Sequence, residues 1–140
     1  MTELLGAHSQ YRSRISGVDS LVWSSVLQIN ATQWARYLAT NLLFKHSGIV
    51  EEGENLWMGA PSSSFTAMVQ DWGAEIKRFK NGIFPNVSTS GSWKDVGHYT
   101  QIIWRNTVSV GCGGAVGIDG LFRLVCRYSP PGNYIGEKVY

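Results

Sequence analysis

The chain contains 140 residues, of which 44% are hydrophobic, and its 12 basic and 10 acidic residues give a formal net charge of +2. This length suits one hydrophobic core, so we expect a single domain over residues 1–140. The basic residues are spread along the chain without a Lys/Arg block, which argues against a nucleic-acid partner. No apolar run approaches the roughly 20 residues that cross a bilayer, so we expect no transmembrane segment.

The N-terminal residues bear on the location of the protein. Residues 1–6 lack the charged start and apolar core of a signal peptide, so either the protein is intracellular or a leader has been removed. Two potential N-glycosylation sequons begin at Asn30 and Asn86 and fit secretion from a eukaryote.

Apolar spacing predicts two helices in the first 40 residues. The first covers residues 2–16, where apolar or ring side chains recur at helical intervals at Leu4, Leu5, His8, Tyr11 and Ile15. Ser24 is a good N-cap for the second, whose buried face is predicted at Val26, Leu27, Ala31, Trp34, Ala35 and Leu38.

A short strand is predicted over 55–58, and Ser63 or Ser64 then caps a third helix. The apolar stripe of this helix consists of Phe65, Met68, Val69, Trp72, Ile76 and Phe79. Glu75 lies on the same stripe. A carboxylate on the buried side of a helix needs a partner, because desolvating an isolated charge is costly.

The second half of the chain begins with a loop over 80–97 that is rich in Gly, Ser, Asn and Pro. A short helix over 98–104 follows, then two apolar runs joined by the turn at 117–120. Cys112 and Cys126 lie at equal distances from Asp119, so a hairpin would place their sulfurs opposite each other. A cross-strand disulfide is favoured over two buried thiols. Helices around a small antiparallel sheet indicate an α+β protein.

The candidates for chemistry are histidine and glutamate side chains, because the chain has no nucleophile elbow, phosphate-binding loop or zinc-protease helix. His46 follows the second helix, Glu54 begins a strand, and His98 begins the short fourth helix. Glu51 and Glu52 look like solvated loop charges. Spacing alone leaves open whether His46, Glu54, Glu75 and His98 converge. His8 is interpreted as a packing or hydrogen-bonding residue.

Three motifs resemble those of one family: HSGIVEEGENLW at 46–57, GHYTQIIWRNTVSVGC at 97–112 and CRYSPPGNYIGE at 126–137. The family is the CAP superfamily, which comprises cysteine-rich secretory proteins, antigen 5 proteins and plant pathogenesis-related 1 proteins. The resemblance implies a three-layer α-β-α sandwich with a three-stranded antiparallel sheet.

The resemblance also implies a shared cleft. In CAP proteins two histidines and two glutamates meet, and they match His46, Glu54, Glu75 and His98 of this chain. It implies zinc or another divalent cation bound through His46 and His98, with Glu54 or Glu75 as a further ligand. The same four groups can also form a metal-free network in which each glutamate bonds an imidazole. A metal-dependent hydrolase, with Glu54 or Glu75 as base, is an alternative to a non-enzymatic protein.

Similar fungal and plant members carry sterols or fatty acids. The segment 79–99 resembles the family's aromatic caveolin-binding-like segment, which implies lipid contact through Phe79, Phe84, Trp93 and Tyr99. An ordinary surface loop held in place by a few aromatic side chains is the alternative for the same residues.

A defence or signalling role, through a receptor or another host or pathogen protein, is a further alternative. The residues 130–140 resemble a C-terminal peptide that plant relatives release, although Arg127 and Val139 depart from that pattern. Plant relatives usually carry six cysteines and this chain has two. We expect a secreted protein. The alternative is an intracellular, membrane-associated protein that resembles the Golgi-type relatives.

Overall fold

A computed structural model describes all 140 residues. Its helices are α1 (Thr2–Arg12), α2 (Ser25–Thr40), α3 (Phe65–Gly73) and α4 (Gly97–Ile103), and its strands are β1 (Val22–Trp23), β2 (Gly53–Gly59), β3 (Ser109–Val116) and β4 (Phe122–Ser129). Short 3-10 turns cover Ala74–Arg78 and Trp93–Asp95. None of the helices is long and apolar enough to span a membrane.

The sheet has four strands in the order β1-β3-β4-β2. The three long strands are antiparallel, but the two-residue β1 pairs in parallel with the start of β3. The expected α+β class is therefore confirmed, whereas the expected three-stranded antiparallel sheet is wrong. The apolar run at 21–23 gave no sign of this pairing, because its partner lies 87 positions further along at Ser109 and Val110.

Helices cover both faces of the sheet. On one face α2 packs against the sheet through Ala31, Ala35 and Leu38, which contact Leu56 and Val125. On the other face α1, α3 and α4 enclose the larger core. Residues of β4 alternate between the two cores, as the pleat of a strand requires: Val125 belongs to the α2 side, and Leu124 and Cys126 to the other.

The predicted hairpin of β3 and β4 is present. Cys112 and Cys126 are direct cross-strand partners and form the expected disulfide. Gly111 and Gly113 on β3 lie against α2. A Cβ added at Gly111 would lie 2.3 Å from an atom of Gln28, and a Cβ added at Gly113 would lie 2.0 Å from an atom of Thr32. The strand thus needs glycine there, because the helix lies directly on its backbone.

Several predicted boundaries need correction. The first helix ends at Arg12 rather than residue 16, and the third ends at Gly73, so Glu75 lies in the following 3-10 turn and not on a buried α-helical stripe. Val26 and Ile76, both predicted on buried faces, are exposed. The predicted caps are present, since the hydroxyls of Ser24 and Ser64 accept hydrogen bonds from Leu27 and Ala67.

Arg12 holds the junction between α1, α4 and the start of β3. The guanidinium is 1% exposed and donates to four backbone carbonyls, those of Asp19, Ile102, Trp104 and Thr107. No carboxylate lies within ion-pair distance of Arg12. Burial lowers the pKa of Arg12 to about 10, an effect that the charge of Asp19 opposes. All the hydrogen bonds of the cation go to backbone carbonyls.

Candidate functional site

A cleft of about 650 Å³ opens where the loop before β2 faces the first turn of α4. Its walls are His46, Gly48, Ile49, Val50, Glu52, Glu54, Asn55, Trp93, Lys94, Gly97, His98 and Asn133. Three of the four predicted cleft residues, His46, Glu54 and His98, therefore line one space.

His46 is attached to the sheet through Glu54. Its Nδ1 lies 2.7 Å from Oε1 of Glu54, which also accepts the backbone N–H of Ser47. The hydroxyl of Ser47 donates to the other oxygen at 2.8 Å. The Glu54 side chain is 6% exposed and that of His46 is 64% exposed. Glu54, at the start of β2, thus orients an imidazole that stands in the open part of the cleft.

Arg127 forms ion pairs with two carboxylates beneath the cleft. It is the direct cross-strand partner of Glu54, and its Nε lies 2.8 Å from Oε2 of Glu54. The N–H of this Nε is not aligned with that oxygen, so the contact is an ion pair rather than a good hydrogen bond. The other arm of the guanidinium donates to Glu52 at 2.8 Å, and Glu52 also accepts from Asn30.

The charge of Arg127 affects the protonation of Glu54. Burial raises the pKa of Glu54, but the hydrogen bonds from His46 and Ser47 and the charge of Arg127 outweigh it, so the pKa lies below its ordinary value. A role for Arg127 was not predicted, and the expectation that Glu52 is a solvated charge is wrong. No sequence signal pointed to this pair, because it depends on the antiparallel alignment of β4 with β2.

His98 is held in the same way by Glu75. Its Nδ1 lies 2.8 Å from Oε2 of Glu75, and the other carboxylate oxygen accepts the backbone N–H of Tyr99. The imidazole stacks on Trp72 at a centroid distance of 5.9 Å and an interplanar angle of 13°. Glu75 does not line the cleft. It therefore supports His98 from behind and lies outside the space a ligand would occupy.

The two histidines share one protonation pattern. An ionised carboxylate only accepts hydrogen bonds, so in both residues Nδ1 carries the proton. In the neutral ring Nε2 is then left with its lone pair. Two imidazoles with anchored Nδ1 and free Nε2 have the carboxylate–histidine arrangement that accompanies metal-ligating histidines.

The donor set limits which metal site the cleft can form. No group of three or more His, Cys, Asp or Glu side chains is placed to hold a metal ion. The carboxylates of Glu54 and Glu75 are occupied by the contacts above, so neither supports the expectation of a further ligand. The donors left are the two imidazoles, which are fewer than the three protein ligands of a catalytic zinc site.

A buried polar chain runs from the cleft to α1. The amide of Asn55 donates to the carbonyl of His98 at 3.1 Å and to Oη of Tyr128 at 3.2 Å. Tyr128 and Nε2 of His8 are 2.8 Å apart, and Nδ1 of His8 lies 2.8 Å from the carbonyl of Leu4. This agrees with the hydrogen-bonding role expected of His8. The roles of Asn55 and Tyr128 were not predicted, because their partners are distant in the chain.

The predicted aromatic lipid contacts do not form one exposed surface. Phe84 and Tyr99 are 2% and 3% exposed and belong to the core. Phe79 is half-buried and packs on Tyr99 with ring centroids 5.1 Å apart. Trp93 is the most exposed of the four, at 37%. It packs on Phe84 and lies on the wall of the cleft.

The C-terminal segment is built into the fold. Val139 is fully buried, and its carbonyl accepts the N–H of Arg105. Lys138 forms a bridge with Ile83, and Phe84 exchanges backbone hydrogen bonds with Glu137 and Gly136. Release of residues 130–140 would remove these bonds and one core side chain.

The fold and the cleft together define a CAP domain, and comparison with known proteins agrees. The family described as CAP, the cysteine-rich secretory protein family, matches residues 5–128. The chain is 35% identical to a pathogenesis-related protein of PR-1 type from Sambucus nigra, over 99% of this chain and 80% of the relative. It is 32% identical to cysteine-rich secretory protein 3 from Equus caballus, over 96% of this chain and 58% of that protein.

Comparison with solved structures indicates the same fold. A crystal structure of NaASP2 with Zn²⁺ superimposes with a TM-score of 0.81 at 23% identity, over 99% of this chain and 83% of that one. The structure of BmVAL-1 gives a TM-score of 0.74 at 25% identity, with 99% and 78% covered. The chain belongs to the CAP superfamily.

Proposed function

We propose that this protein is a binding protein whose cleft holds a divalent cation of the zinc class through Nε2 of His46 and His98. The observation that carries the proposal is the pair of carboxylate–histidine contacts, His46 with Glu54 and His98 with Glu75, on one cleft. When bound, the cation supplies a Lewis-acidic centre with positions open to water or ligand. NaASP2, a protein of the same fold, has a crystal structure with Zn²⁺.

Calorimetric titration of metal-stripped protein with zinc tests this proposal. We expect one cation per chain for the unmodified protein and loss of that binding in His46→Ala and in His98→Ala. Lys45→Ala, beside His46 but outside the cleft, is the matched control and should bind normally. Absence of stoichiometric binding, or binding that survives both histidine substitutions, would overturn the proposal and leave a metal-free polar network.

No contact favours the hydrolase alternative. A metal-dependent hydrolase needs, besides its metal ligands, a carboxylate or imidazole free to act as base. The free Nε2 atoms of His46 and His98 are here the proposed metal ligands. Here Glu54 is paired with His46 and Arg127, Glu75 with His98, and Glu52 with Arg127. We therefore propose binding and not catalysis.

Lipid binding is a second candidate function, favoured by the exposed ring of Trp93 on the cleft wall. Titration with radiolabelled cholesterol and with a long-chain fatty acid tests it. We expect Trp93→Ala to weaken lipid binding, and Trp23→Ala, on the opposite edge of the sheet, to leave it unchanged. Absence of binding for both lipids would contradict this function without affecting the metal proposal.

An extracellular location completes the proposal. It is supported by the Cys112–Cys126 disulfide, because such bonds persist in oxidising compartments. Fractionation of cells that produce the native protein tests this location. Detection in the medium would support secretion, and detection in a cell membrane fraction would support the intracellular membrane-associated alternative.

A further inference from the structure

Six basic side chains without a carboxylate partner lie around one cluster of aromatic rings. They are Arg14, Lys77, Arg78, Lys80, Arg105 and Lys138, and we call the surface that they form the basic face. All six are exposed, and none of them belongs to an ion pair of the structure. Their charges are therefore free to attract a ligand.

The ring cluster brings together segments that are distant in the chain. The centroid of the Phe79 ring lies 5.1 Å from that of Tyr99 and 6.0 Å from that of Tyr140. The ring of Tyr11, in α1, lies 6.3 Å from that of Tyr99, and the guanidinium carbon of Arg14 lies 5.1 Å from the centre of the Tyr11 ring. The end of α1, the segment after the 3-10 turn and residue 140 therefore meet at one place.

The backbone around Phe79 directs its neighbours to solvent. Phe79 has an extended backbone, with φ −80° and ψ 138°, and forms a bridge with Ser88. Alternate side chains of an extended segment point to opposite sides, so Arg78 and Lys80 point away from the half-buried ring of Phe79. Lys77 precedes them in the 3-10 turn and is also exposed. Residues 77–80 thus present three cations to solvent.

Backbone pairing places the other cations beside this segment. Lys138 forms a bridge with Ile83, in the continuation of the same segment. Arg105 donates its backbone N–H to the carbonyl of Val139 at 2.9 Å, next to Lys138. The guanidinium of Arg105 lies against Gly17, just beyond α1. Residues that are distant in the chain thus contribute their charges to one surface.

The basic face carries a positive excess that the rest of the chain lacks. The carboxylates on the segments that form it are Asp19, Glu75 and Glu137, and Glu75 is bonded to His98 and Tyr99. Six cations thus accompany three carboxylates, whereas the other six basic residues are outnumbered by seven acidic ones. The formal net charge of +2 therefore originates on this face. A charge asymmetry of this kind favours an anionic partner.

We propose that the basic face binds a sulfated polysaccharide outside the cell. Guanidinium and ammonium groups bind such oxyanions through charge-assisted hydrogen bonds. A linear polyanion engages several cations at once and releases its counterions when it binds. The proposal rests on the extracellular location given above, and it is independent of the metal and lipid sites of the cleft.

An anionic membrane fits the basic face less well than a polysaccharide does. Anionic lipids lie mainly in the cytoplasmic leaflet, whereas the disulfide indicates an oxidising compartment. Attachment to a membrane surface also requires a broad apolar face. Here two exposed isoleucines, Ile76 and Ile83 at 44% and 46%, accompany the six cations.

Calorimetric titration with a size-defined heparin oligosaccharide, in EDTA and at several salt concentrations around 0.15 M, tests the proposal. The double variant Arg78→Gln, Lys80→Gln should bind roughly two- to thirtyfold more weakly, because it loses two exposed charge contacts. Its plot of log affinity against log salt should also be less steep by about two. The matched control is Arg36→Gln, Lys45→Gln, which removes the same charge from exposed positions in α2 and the loop after it and should change both quantities little.

Three results would overturn the proposal. The first is no binding of heparin at 0.15 M salt, or equal weakening in the two double variants, which would reduce the effect to net charge. The second is equal affinity for fully desulfated heparin, since sulfate groups are the proposed ligands. The third is loss of binding in His46→Ala, which would place the polyanion in the cleft.

Two further measurements separate this proposal from its alternatives. Binding to phosphatidylserine vesicles without binding to heparin would overturn it and identify a membrane as the partner. Detection of the protein in a cell membrane fraction would contradict the extracellular location and exclude the polysaccharide as its natural partner. Failure of a secreted protein to bind heparin would overturn this proposal alone and leave that location standing.

Discussion

The carboxylate of Glu75 lies 2.8 Å from Nδ1 of His98 and accepts the backbone N–H of Tyr99 with its other oxygen. It is thus bonded to the first turn of α4 by both oxygens, without lining the cleft. This contact decides which nitrogen of His98 is left for a ligand.

Replacing Glu75 by glutamine should weaken zinc binding by about 10- to 100-fold, the usual effect of removing the carboxylate behind a metal-ligating histidine. In glutamine an NH₂ group, which only donates, replaces one of the two carboxylate oxygens that accept from His98 and Tyr99, so one of these contacts is lost. Calorimetry measures the affinity, and ¹⁵N NMR of the His98 ring reports whether Nδ1 still carries the proton. Glu51→Gln, on an exposed and unpaired carboxylate, is the control. Unchanged affinity in Glu75→Gln would refute the supporting role of this residue.

Tyr128→Phe should lower the free energy of unfolding by about 1–3 kcal/mol, the cost of an unsatisfied buried polar group. The substitution removes the hydroxyl that contacts His8 and Asn55 while the ring still fills the core. Urea unfolding measures the change. Tyr134→Phe removes a hydroxyl from a residue that is 60% exposed and should have little effect. Equal stability of the two variants would show that the hydrogen bonds of Tyr128 with His8 and Asn55 contribute nothing to the free energy of unfolding.

His8 should make the protein less stable in mild acid. Burial lowers the pKa of His8 from 6.5 to about 4, although the carbonyl of Leu4 opposes the shift. Below pH 6.5 the unfolded chain takes up a proton that the folded protein does not, so stability falls as the pH decreases toward 4. The loss amounts to about 3 kcal/mol over that range. Unfolding of the protein and of His8→Gln, compared from pH 7 to pH 4, should show a shallower decline in the variant. Parallel profiles would contradict the assignment.

Arg12→Met should cost roughly 3 kcal/mol or more, because four backbone carbonyls in the interior lose their donor. Arg12→Lys should also destabilise the fold, since an ammonium group cannot reproduce the planar fork of the guanidinium. Thermal and urea unfolding measure both effects, with the exposed Arg36→Met as control. An Arg12→Lys variant as stable as the original protein would show that this position requires a positive charge and not the planar guanidinium.

The two sequons should differ when the chain is expressed through a eukaryotic secretory pathway. Asn86 is exposed in a loop, whereas the side chain of Asn30 lies in α2 and donates to Glu52 at 2.7 Å. A glycan on Asn30 would disrupt the contacts of Glu52 and Arg127. We expect mass spectrometry to find a glycan on the unmodified protein. The Asn86→Gln variant should lack this glycan, and the Asn30→Gln variant should keep it. Modification at Asn30 alone would contradict this expectation.

The candidate site was predictable only in part. Motif resemblance named His46, Glu54, Glu75 and His98, and the structure places three of them on one cleft and Glu75 behind it. The roles of Arg127 and Glu52 were not predictable, because they follow from the pairing of β4 with β2. Phe84, in a polar loop, and Tyr99, in α4, were expected to contact lipid, yet both side chains are buried in the core.

The sequence by itself determined the local elements. The hydroxyl caps of Ser24 and Ser64, the turn after β3, and the disulfide across the hairpin depend on residues within about one element of each other. Helical periodicity and turn chemistry are local properties, so they could be read in advance.

Only the tertiary structure decided the parallel pairing of β1, the carbonyl cage around Arg12 and the buried chain from His8 to Asn55. His8 and Tyr128 are 120 positions apart, and Arg12 reaches partners up to 95 positions away. Such contacts form because each buried polar group must find a partner after the core has excluded water. Chain order does not specify which partner that is, because the packing of the helices on the sheet brings the groups together.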